Sequence, residues 1–334
     1  MRAFLVDRYG SRAGLRAGEV PDPEPGAHDV LVRIRAASVN PLDRMILDGK
    51  MRTVLPYRVP FILGNDLAGT VVAVGTAVTR FRVGDDVYAR PDKNRIGTFA
   101  ELIAVHQDDL AIKPAALSME EAASLPLVAL TSWQVLVERA RVQPGQKVLV
   151  HGGSGGLGTI AIQLAKELGA QVATTTSTGN VDVVKSLGAD VVVDYKTQAF
   201  ETVLHDYDLV LDSLGGETLT KSLDVLKPGG KLISVAGPPD AEFGRELGAN
   251  PVIRLAMSAL SFPTRRRARR RGVTYSFLFM KAGGDQLREL TALIDAGKIR
   301  PVVDTVFPFA STPQALEHVA AGHAKAGKVV VRMT

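Results

Sequence analysis

A strand, a glycine-rich turn and a helix follow one another between residues 147 and 169, and this order constrains the fold more than any other feature. The apolar run 148–150 is typical of a short buried strand, and the apolar positions of 159–168 recur with a helical period. The spacing G-x-G-x-x-G between them is given by Gly153, Gly155 and Gly158. Glycines let a backbone approach a pyrophosphate, whose negative charge is favourable at a helix N-terminus. The pattern predicts a nicotinamide-dinucleotide site, and a purely structural turn is the alternative.

The backbone amides of this turn are the predicted phosphate donors. They belong to Gly153, Ser154, Gly155, Gly156, Leu157 and Gly158. Later predicted strands at 208–212 and 231–235 are followed by Ser213 and by Ala236-Gly237, respectively. Because a dinucleotide lies at the carboxyl edge of such a sheet, these three residues are further predicted cofactor contacts.

The loop after the second strand, 171–174, bears on which nicotinamide nucleotide is used. An NAD-preferring site has an acidic residue here for the ribose 2′-hydroxyl, but no acid occurs before Asp182. The hydroxyls of Ser177 and Thr178 can instead bind a 2′-phosphate, so NADPH is favoured over NADH. No lysine or arginine lies in this loop, and a merely polar loop is the alternative.

Strand-like and helical segments alternate from residue 125 to residue 274, which predicts a doubly wound parallel sheet. Residues 1–124 are rich in strand-like runs and turns and predict an irregular β-rich domain. A helix near 286–295 and a strand at 328–332 indicate that 275–334 return to this first domain. The fold class is therefore α/β with two domains, which 334 residues can supply with proper cores.

The absence of cysteine excludes disulfides, thiolate zinc ligands and a cysteine nucleophile. The N-terminal apolar run is too short for a signal peptide, and no apolar run is long enough for a membrane-spanning helix. These features predict a cytoplasmic protein.

Six arginines crowd the segment 265–271, and without them the formal net charge would be −1 instead of +5. The basic character is therefore local. We expect the run to be a solvated helix face, and contact with nucleic acid or an acidic membrane is the alternative. The apolar stretch before it, within 240–264, is compatible with a lid, a lipid-facing patch or an interface.

Several motifs in a fixed order resemble the medium-chain dehydrogenases/reductases of the zinc-independent, quinone-oxidoreductase-like branch, which includes 2-alkenal and enone reductases. They are the glycine turn and the segments 36–43 (AASVNPLD), 64–69 (GNDLAG), 125–132 (LPLVALTS) and 326–330 (AGKVV). The resemblance covers nearly the whole chain. It implies a Rossmann-type dinucleotide domain and a GroES-like substrate domain, and a homodimer because relatives form one.

The resemblance also bears on metal binding. Zinc-dependent relatives place a cysteine at the position of Asn40 and a His-Glu pair at the positions of Asn65 and Asp66. An asparagine is a poor zinc ligand and one aspartate cannot hold the ion alone, so no zinc is expected.

By resemblance, NADPH reduces a quinone or the carbon–carbon double bond of an α,β-unsaturated carbonyl compound. Asn40 matches the position beside the nicotinamide and is the candidate donor to the carbonyl oxygen, although it can equally end a strand in a turn. Asp43 is compatible with orienting the loop or with an ordinary cap. Tyr57 is a candidate proton donor, with packing as its alternative role and solvent as the alternative donor.

Further cofactor contacts are implied by the resemblance. Thr131 matches a hydroxyl near the phosphate or nicotinamide, with a helix N-cap as the alternative, and Lys328 belongs to the last motif. Ser177 and Tyr195 match positions around the 2′-phosphate. Residues 179 and 180 are Gly and Asn where some relatives carry lysines, which weakens the prediction of NADPH.

Three further side chains have more than one interpretation. His151 adjoins the turn, where a structural hydrogen bond is favoured over acid–base chemistry. Phe277 and Phe279 alternate as in a strand and are compatible with a pocket wall, burial or a dimer interface.

The alternative to an enzyme is a non-catalytic nucleotide-sensing protein that binds nucleic acid or a membrane through the arginine run. The enzyme is favoured, with a small-molecule partner and without nucleic acid or stable membrane association.

Overall fold

The computed structural model describes residues 1–10 and 14–333, which form two compact units. The first unit comprises 1–130 together with 281–334, and the second unit comprises 131–280. The predicted boundaries were 1–124 with 275–334, and 125–274. The described boundaries fall a few residues later at both junctions.

The strands are, in chain order, β1 (Arg2–Val6), β2 (Leu15–Glu19), β3 (Asp29–Val39), β4 (Phe61–Ile62), β5 (Asp66–Val74), β6 (Asp86–Ala89), β7 (Leu102–His106), β8 (Leu110–Ile112), β9 (Lys147–Val150), β10 (Gln171–Thr176), β11 (Val191–Asp194), β12 (Tyr207–Asp212), β13 (Leu226–Ser234), β14 (Thr274–Phe277), β15 (Val303–Pro308) and β16 (Lys328–Arg332).

The α-helices are α1 (Pro41–Leu47), α2 (Met119–Ala123), α3 (Pro126–Trp133), α4 (Gly156–Glu167), α5 (Val181–Ser186), α6 (Gly216–Ser222), α7 (Ala241–Glu246), α8 (Pro251–Arg270), α9 (Gly284–Asp295) and α10 (Thr312–Ala320). A π-helical segment, Gln134–Ala140, follows α3 directly.

The second unit is built on a parallel sheet in the order β11-β10-β9-β12-β13-β14. Its central strand β9 is short and apolar, and the side chains of 148–150 are completely buried. The helices α4, α5 and α6 connect successive strands, which confirms the predicted doubly wound α/β fold. Strand β14 pairs in parallel with β13, and this pairing keeps residues 274–277 within the second unit.

The first unit contains a mostly antiparallel sheet in the order β15-β16-β3-β5-β6-β8, with β7 paired to β3. A smaller sheet has the order β2-β1-β4. The C-terminal residues complete the larger sheet because β16 pairs antiparallel with β3, with Val329 opposite Val39. The hydroxyl of Tyr88 on β6 also donates to the Leu287 carbonyl on α9, over 2.8 Å. These contacts explain why the last segment returns to the first unit.

Helix α8 contains both the predicted apolar stretch and most of the arginine run. The side chain of Asn250 caps its first turn, accepting a hydrogen bond from the amide of Ile253 over 3.0 Å, and Pro251 occupies the first helical position. Along the described chain, no helix is both long and apolar enough to cross a bilayer.

Candidate functional site

The glycine turn of the second unit admits no side chains at its tightest points. Gly152 adopts a left-handed backbone with φ of 66°. A Cβ on Gly153 would overlap the Thr174 side chain, and one on Gly158 would overlap the Gly152 carbonyl. These contacts fold the chain from β9 directly into α4.

The N-terminus of α4 presents the predicted amide donors. The amides of the first helical residues, Gly156, Leu157 and Gly158, precede the first α-helical hydrogen bond, which the Thr159 amide makes to the Gly155 carbonyl over 3.0 Å. Gly155 at the cap has no side chain to satisfy them. Unpaired amides and the positive end of the helix dipole fit the pyrophosphate of a dinucleotide.

His151 holds the turn through a defined chain of hydrogen bonds. The Gly152 amide donates to the Thr175 hydroxyl over 3.2 Å, and that hydroxyl lies 3.1 Å from Nδ1 of His151. Nε2 of His151 lies 2.8 Å from the hydroxyl of Ser222, which donates to the Thr218 carbonyl. Because the Ser222 hydroxyl gives its proton to the Thr218 carbonyl, its oxygen accepts a hydrogen bond from Nε2–H of His151, while the Thr175 hydroxyl donates to Nδ1. The ring is then neutral, with its proton on Nε2. Burial lowers the pKa of His151 to about 4, and the predicted structural role is confirmed.

The turns after β10 and β11 lie together at the carboxyl edge of the sheet. The Tyr195 amide donates to the Thr176 carbonyl over 3.1 Å, and the Asn180 amide group donates to Ser154 over 3.2 Å. The hydroxyl of Thr178 donates to the Asp194 carboxylate over 2.6 Å. Ser177, Thr178 and Tyr195 are therefore neighbours, as predicted, but an acidic side chain lies among them.

This acidic side chain was not anticipated, and neither was the cation beside it. The hydrogen bond from Thr178 lowers the pKa of Asp194. The backbone amide and the charge of Lys196 lower it further. The carboxylate can accept a hydrogen bond from a ribose hydroxyl, whereas the lysine favours a phosphate. The carboxylate and the lysine at this edge of the sheet therefore favour different nucleotides.

The turns after β12 and β13 are tied to each other by Asp212 and Ser234. The hydroxyl of Ser234 donates to Asp212 over 2.6 Å and accepts from the amides of Ala236 and Gly237. These two amides are therefore engaged within the protein. The hydroxyl of Ser213 donates to the His151 carbonyl over 3.1 Å, which brings this residue beside the glycine turn.

A buried polar network in the first unit converges on Asp66. Its Oδ2 accepts hydrogen bonds from the Ser38 hydroxyl and from the Asn40 side-chain amide, each over 2.8 Å. Its Oδ1 accepts the Leu127 amide over 2.8 Å. The ammonium of Lys328 lies 3.4 Å from Oδ2, and the side chains of both charged residues are buried. Four donors thus surround one carboxylate at the ends of β3, β5 and β16.

The network fixes the orientation of Asn40. Lys328 can only donate and Asp66 can only accept. The carbonyl oxygen of Asn40 therefore faces Lys328, and its nitrogen faces Asp66. Asn40 follows the end of β3, as one interpretation predicted, but helix α1 begins directly after it instead of a turn. The second proton of its amide nitrogen has no acceptor among the residues that the structure describes.

Two further buried charges adjoin this network. Asp43, the third residue of α1, accepts the backbone amide of the capping residue Asn40 and the side-chain amide of Asn65, each over 2.7 Å. Burial raises the pKa of Asp43 to about 6. Arg90 donates to the Asn65 carbonyl oxygen over 3.2 Å. With Asp66 and Lys328, the cluster contains two carboxylates and two cations, so its charges balance.

The donor set of this cluster does not fit a catalytic zinc ion. The oxygen of Asn40 and the carboxylate of Asp66 both face the Lys328 ammonium, which would repel a second cation. Zinc sites require thiolate, imidazole or several carboxylate ligands, and the sequence contains no cysteine. Among residues 1–10 and 14–333, no group of three or more histidines and carboxylates could hold a metal ion.

The remaining candidates lie as follows. The phenol of Tyr57 donates to the Lys93 carbonyl over 2.5 Å, and burial raises its pKa, which makes it a weaker acid. Thr131 is buried inside α3, so the alternative of an N-cap is wrong. Phe277 and Phe279 pack against Phe243, with ring centroids 5.0 and 5.9 Å apart.

Sequence reasoning missed Asp66 as the centre of the network and Lys328 as its cation. Lys328 was predicted as a cofactor contact, but its ammonium binds Asn40 and Asp66. The available signal was a charged residue at the first position of each of two strands with mostly apolar interiors. Nothing in the sequence indicates that these strands place their charges side by side.

Parts of both units match known protein families. Residues 26–115 match the alcohol dehydrogenase GroES-like domain, and 187–331 match the zinc-binding dehydrogenase domain. The chain is 36% identical to the mitochondrial NAD(P)H oxidoreductase RTN4IP1 of Danio rerio, over 99% of this chain and 91% of the relative. It is 33% identical to a chloroplastic NADPH-dependent alkenal/one oxidoreductase of Arabidopsis thaliana, over 99% of this chain and 79% of the relative.

Solved structures give the same result. The quinone oxidoreductase of Coxiella burnetii is 29% identical and superimposes with a TM-score of 0.86, covering 100% of this chain and 99% of that one. A mycobacterial protein solved with NADPH is 28% identical with a TM-score of 0.81, covering 99% of both chains.

Protonation of His151 should destabilise the protein. Its folded pKa of about 4 lies below its ordinary value of 6.5, so above pH 6.5 the ring is neutral in both the folded and the unfolded state. As the pH falls from 6.5 towards 4, the unfolded state binds a proton that the folded ring does not, which lowers the free energy of unfolding by at most about 3 kcal/mol. We expect the difference in free energy of unfolding between wild type and His151→Gln to shrink from pH 7 to pH 4.5, as measured by urea denaturation.

The matched control is His205→Gln, which replaces an exposed histidine of the same unit. Its difference from wild type should change less over the same pH range. A constant difference for His151→Gln would contradict the neutral, buried role of this ring.

Proposed function

Because this chain belongs to the medium-chain dehydrogenase/reductase family, among its quinone and alkenal/one oxidoreductases, we propose that it is an NADPH-dependent reductase that works without zinc. The proposed acceptor is a quinone or the carbon–carbon double bond of an α,β-unsaturated carbonyl compound. Relatives named for both acceptor classes support this breadth. The observation that carries the proposal is the buried Lys328–Asp66 pair with Asn40, which offers a neutral donor and a cation in place of metal ligands.

When bound, a nicotinamide dinucleotide supplies the hydride. The second unit binds its pyrophosphate through the amides at the N-terminus of α4, and His151 keeps the preceding turn in shape. Binding of the pyrophosphate requires no titrating acid, since the donors are backbone amides.

Asn40 is the proposed donor to the carbonyl oxygen of the acceptor. Reduction of an enone at its β-carbon leaves negative charge on this oxygen, and a neutral N–H stabilises it without losing a proton. Lys328 and Asp66 hold the amide in one orientation, which removes the cost of arranging it during the reaction. Solvent then protonates the enolate at carbon. Tyr57 is not needed, because its own proton is engaged by the Lys93 carbonyl.

NADPH is the proposed nucleotide. The name of one relative and the ligand of one solved neighbour support it. In this chain, the hydroxyl of Ser177, Tyr195 and the cation of Lys196 favour a 2′-phosphate, whereas Asp194 opposes it.

The test is oxidation of NADPH by the purified protein, with a simple quinone and a short 2-alkenone assayed side by side. We expect acceptor-dependent turnover with at least one of the two. Bound NADPH without turnover of either acceptor would overturn the reductase and favour a non-catalytic nucleotide-sensing protein.

In the same assay, Asn40→Ala should lower kcat by roughly 100-fold, the usual loss on removing one such donor. Its affinity for NADPH, measured by fluorescence titration, should change little because the phosphate donors lie in the second unit. Asn94→Ala, at an exposed asparagine of the first unit, is the matched control and should retain wild-type kcat.

Nucleotide preference should respond to the charges at the adenosine edge. Lys196→Gln is expected to lower the ratio of kcat/KM for NADPH to that for NADH, and Asp194→Asn to raise it. Each change should be about two- to fivefold, as for exposed charge pairs. Both values come from steady-state assays with the better acceptor.

Asp190→Asn is the control, because Asp190 comes directly before the first residue of β11, whereas Asp194 is the last residue of this strand. Its ratio should remain that of the wild type. Unchanged ratios for Lys196→Gln and Asp194→Asn would contradict the assignment of this edge to the 2′-position.

A further inference from the structure

Helix α8 has an apolar outward face in its first thirteen residues. Met257, Ser261 and Ala268 form its buried side. Val252 (76% exposed), Leu255 (72%) and Phe262 (52%) lie on the opposite side, and Leu260 (63%) is exposed on one flank of the helix. We call these four residues the apolar patch. Clusters of this kind on a protein surface mark interaction sites.

The same outward face becomes basic in the last two turns of the helix. Arg267 and Arg271 pair with Asp224, and Arg265 donates to Ser258. The three other arginines, Arg266, Arg269 and Arg270, are exposed and have no carboxylate partner in the described parts of the chain. Segment 247–271 contains no acidic residue. The helix thus presents apolar side chains first and unpaired cations directly after them.

We propose that α8 docks the protein on an anionic lipid bilayer. The apolar patch enters the boundary between headgroups and acyl chains, and Arg266, Arg269 and Arg270 contact the lipid phosphates. The helix does not span the membrane, since none of the described helices is both long and apolar enough to do so. This inference is independent of the proposed reductase activity.

Charge complementarity favours a bilayer over other occupants. A second copy packed antiparallel on this face would lay its unpaired arginines on the apolar patch, and segment 247–271 offers them no carboxylate. A second copy packed parallel would bring the two sets of arginines together, where like charges repel. A nucleic acid would use the arginines but would leave Val252, Leu255 and Leu260 without contacts. An anionic bilayer satisfies both halves of the face, because phosphates lie directly outside the apolar layer.

The test is co-sedimentation of the full-length protein with phosphatidylcholine vesicles, with and without phosphatidylglycerol. We expect binding to the anionic vesicles only, weakened by high salt. Arg266→Gln, Arg269→Gln and Arg270→Gln together should lower the partition coefficient on the order of 100-fold, since each arginine is worth about fivefold near an anionic surface. Leu255→Gln, Leu260→Gln and Phe262→Gln together should abolish the binding that survives in high salt.

The matched control is the triple variant Arg8→Gln, Arg33→Gln and Arg35→Gln, which removes the same charge from exposed positions of the first unit. It should bind vesicles as the wild type does, and all variants should keep the wild-type circular dichroism spectrum. Equal binding to neutral and anionic vesicles, or equal loss in the control, would overturn the proposal. Self-association in sedimentation velocity would also overturn the proposal if the α8 substitutions abolished this self-association. The same holds for binding to RNA instead of vesicles, if the α8 substitutions abolished the RNA binding.

Discussion

The ion pair between Lys328 and Asp66 is the contact on which the buried polar network of the first unit depends. Each partner alone would be a buried charge, and removing one typically costs 3–5 kcal/mol because the other is left uncompensated. Here the two charges also orient Asn40, whose amide must face a donor on one side and an acceptor on the other. The pair joins the last strand of the chain to the end of β3 and the start of β5. It therefore links completion of the sheet to the arrangement of the site.

The second unit uses a different physical principle. Its donors are backbone amides at the N-terminus of α4, and their positions follow from glycines that admit no side chain. His151 stabilises this turn as a neutral hydrogen-bonding ring. Within the described chain, the two units thus divide the work between a preorganised anion site and a buried, charge-balanced cluster. In neither unit does the proposed activity require a metal ion.

The sequence predicted the strand, glycine turn and helix of the second unit because their signals are local. It also predicted the parallel sheet, since helices and strands alternate over 125–274. Local patterns did not reveal the contact between Lys328 and Asp66, which are 262 positions apart, or the bond from Thr178 to Asp194. Side-chain pairs of this kind depend on which strands become neighbours, and hydrophobic periodicity does not specify that. The arginine run was correctly located, but the apolar patch beside it depends on which side of α8 is buried.

In the proposed reductase, Lys328, Asp66 and Asn40 serve where zinc-dependent relatives use a metal ion. The most direct test is turnover of NADPH by protein stripped with a chelator and verified by elemental analysis to be free of zinc. Full activity is expected for the stripped protein, with no gain when Zn²⁺ is added back. Loss of activity on stripping, with recovery on addition of Zn²⁺ in proportion to the metal bound, would contradict it.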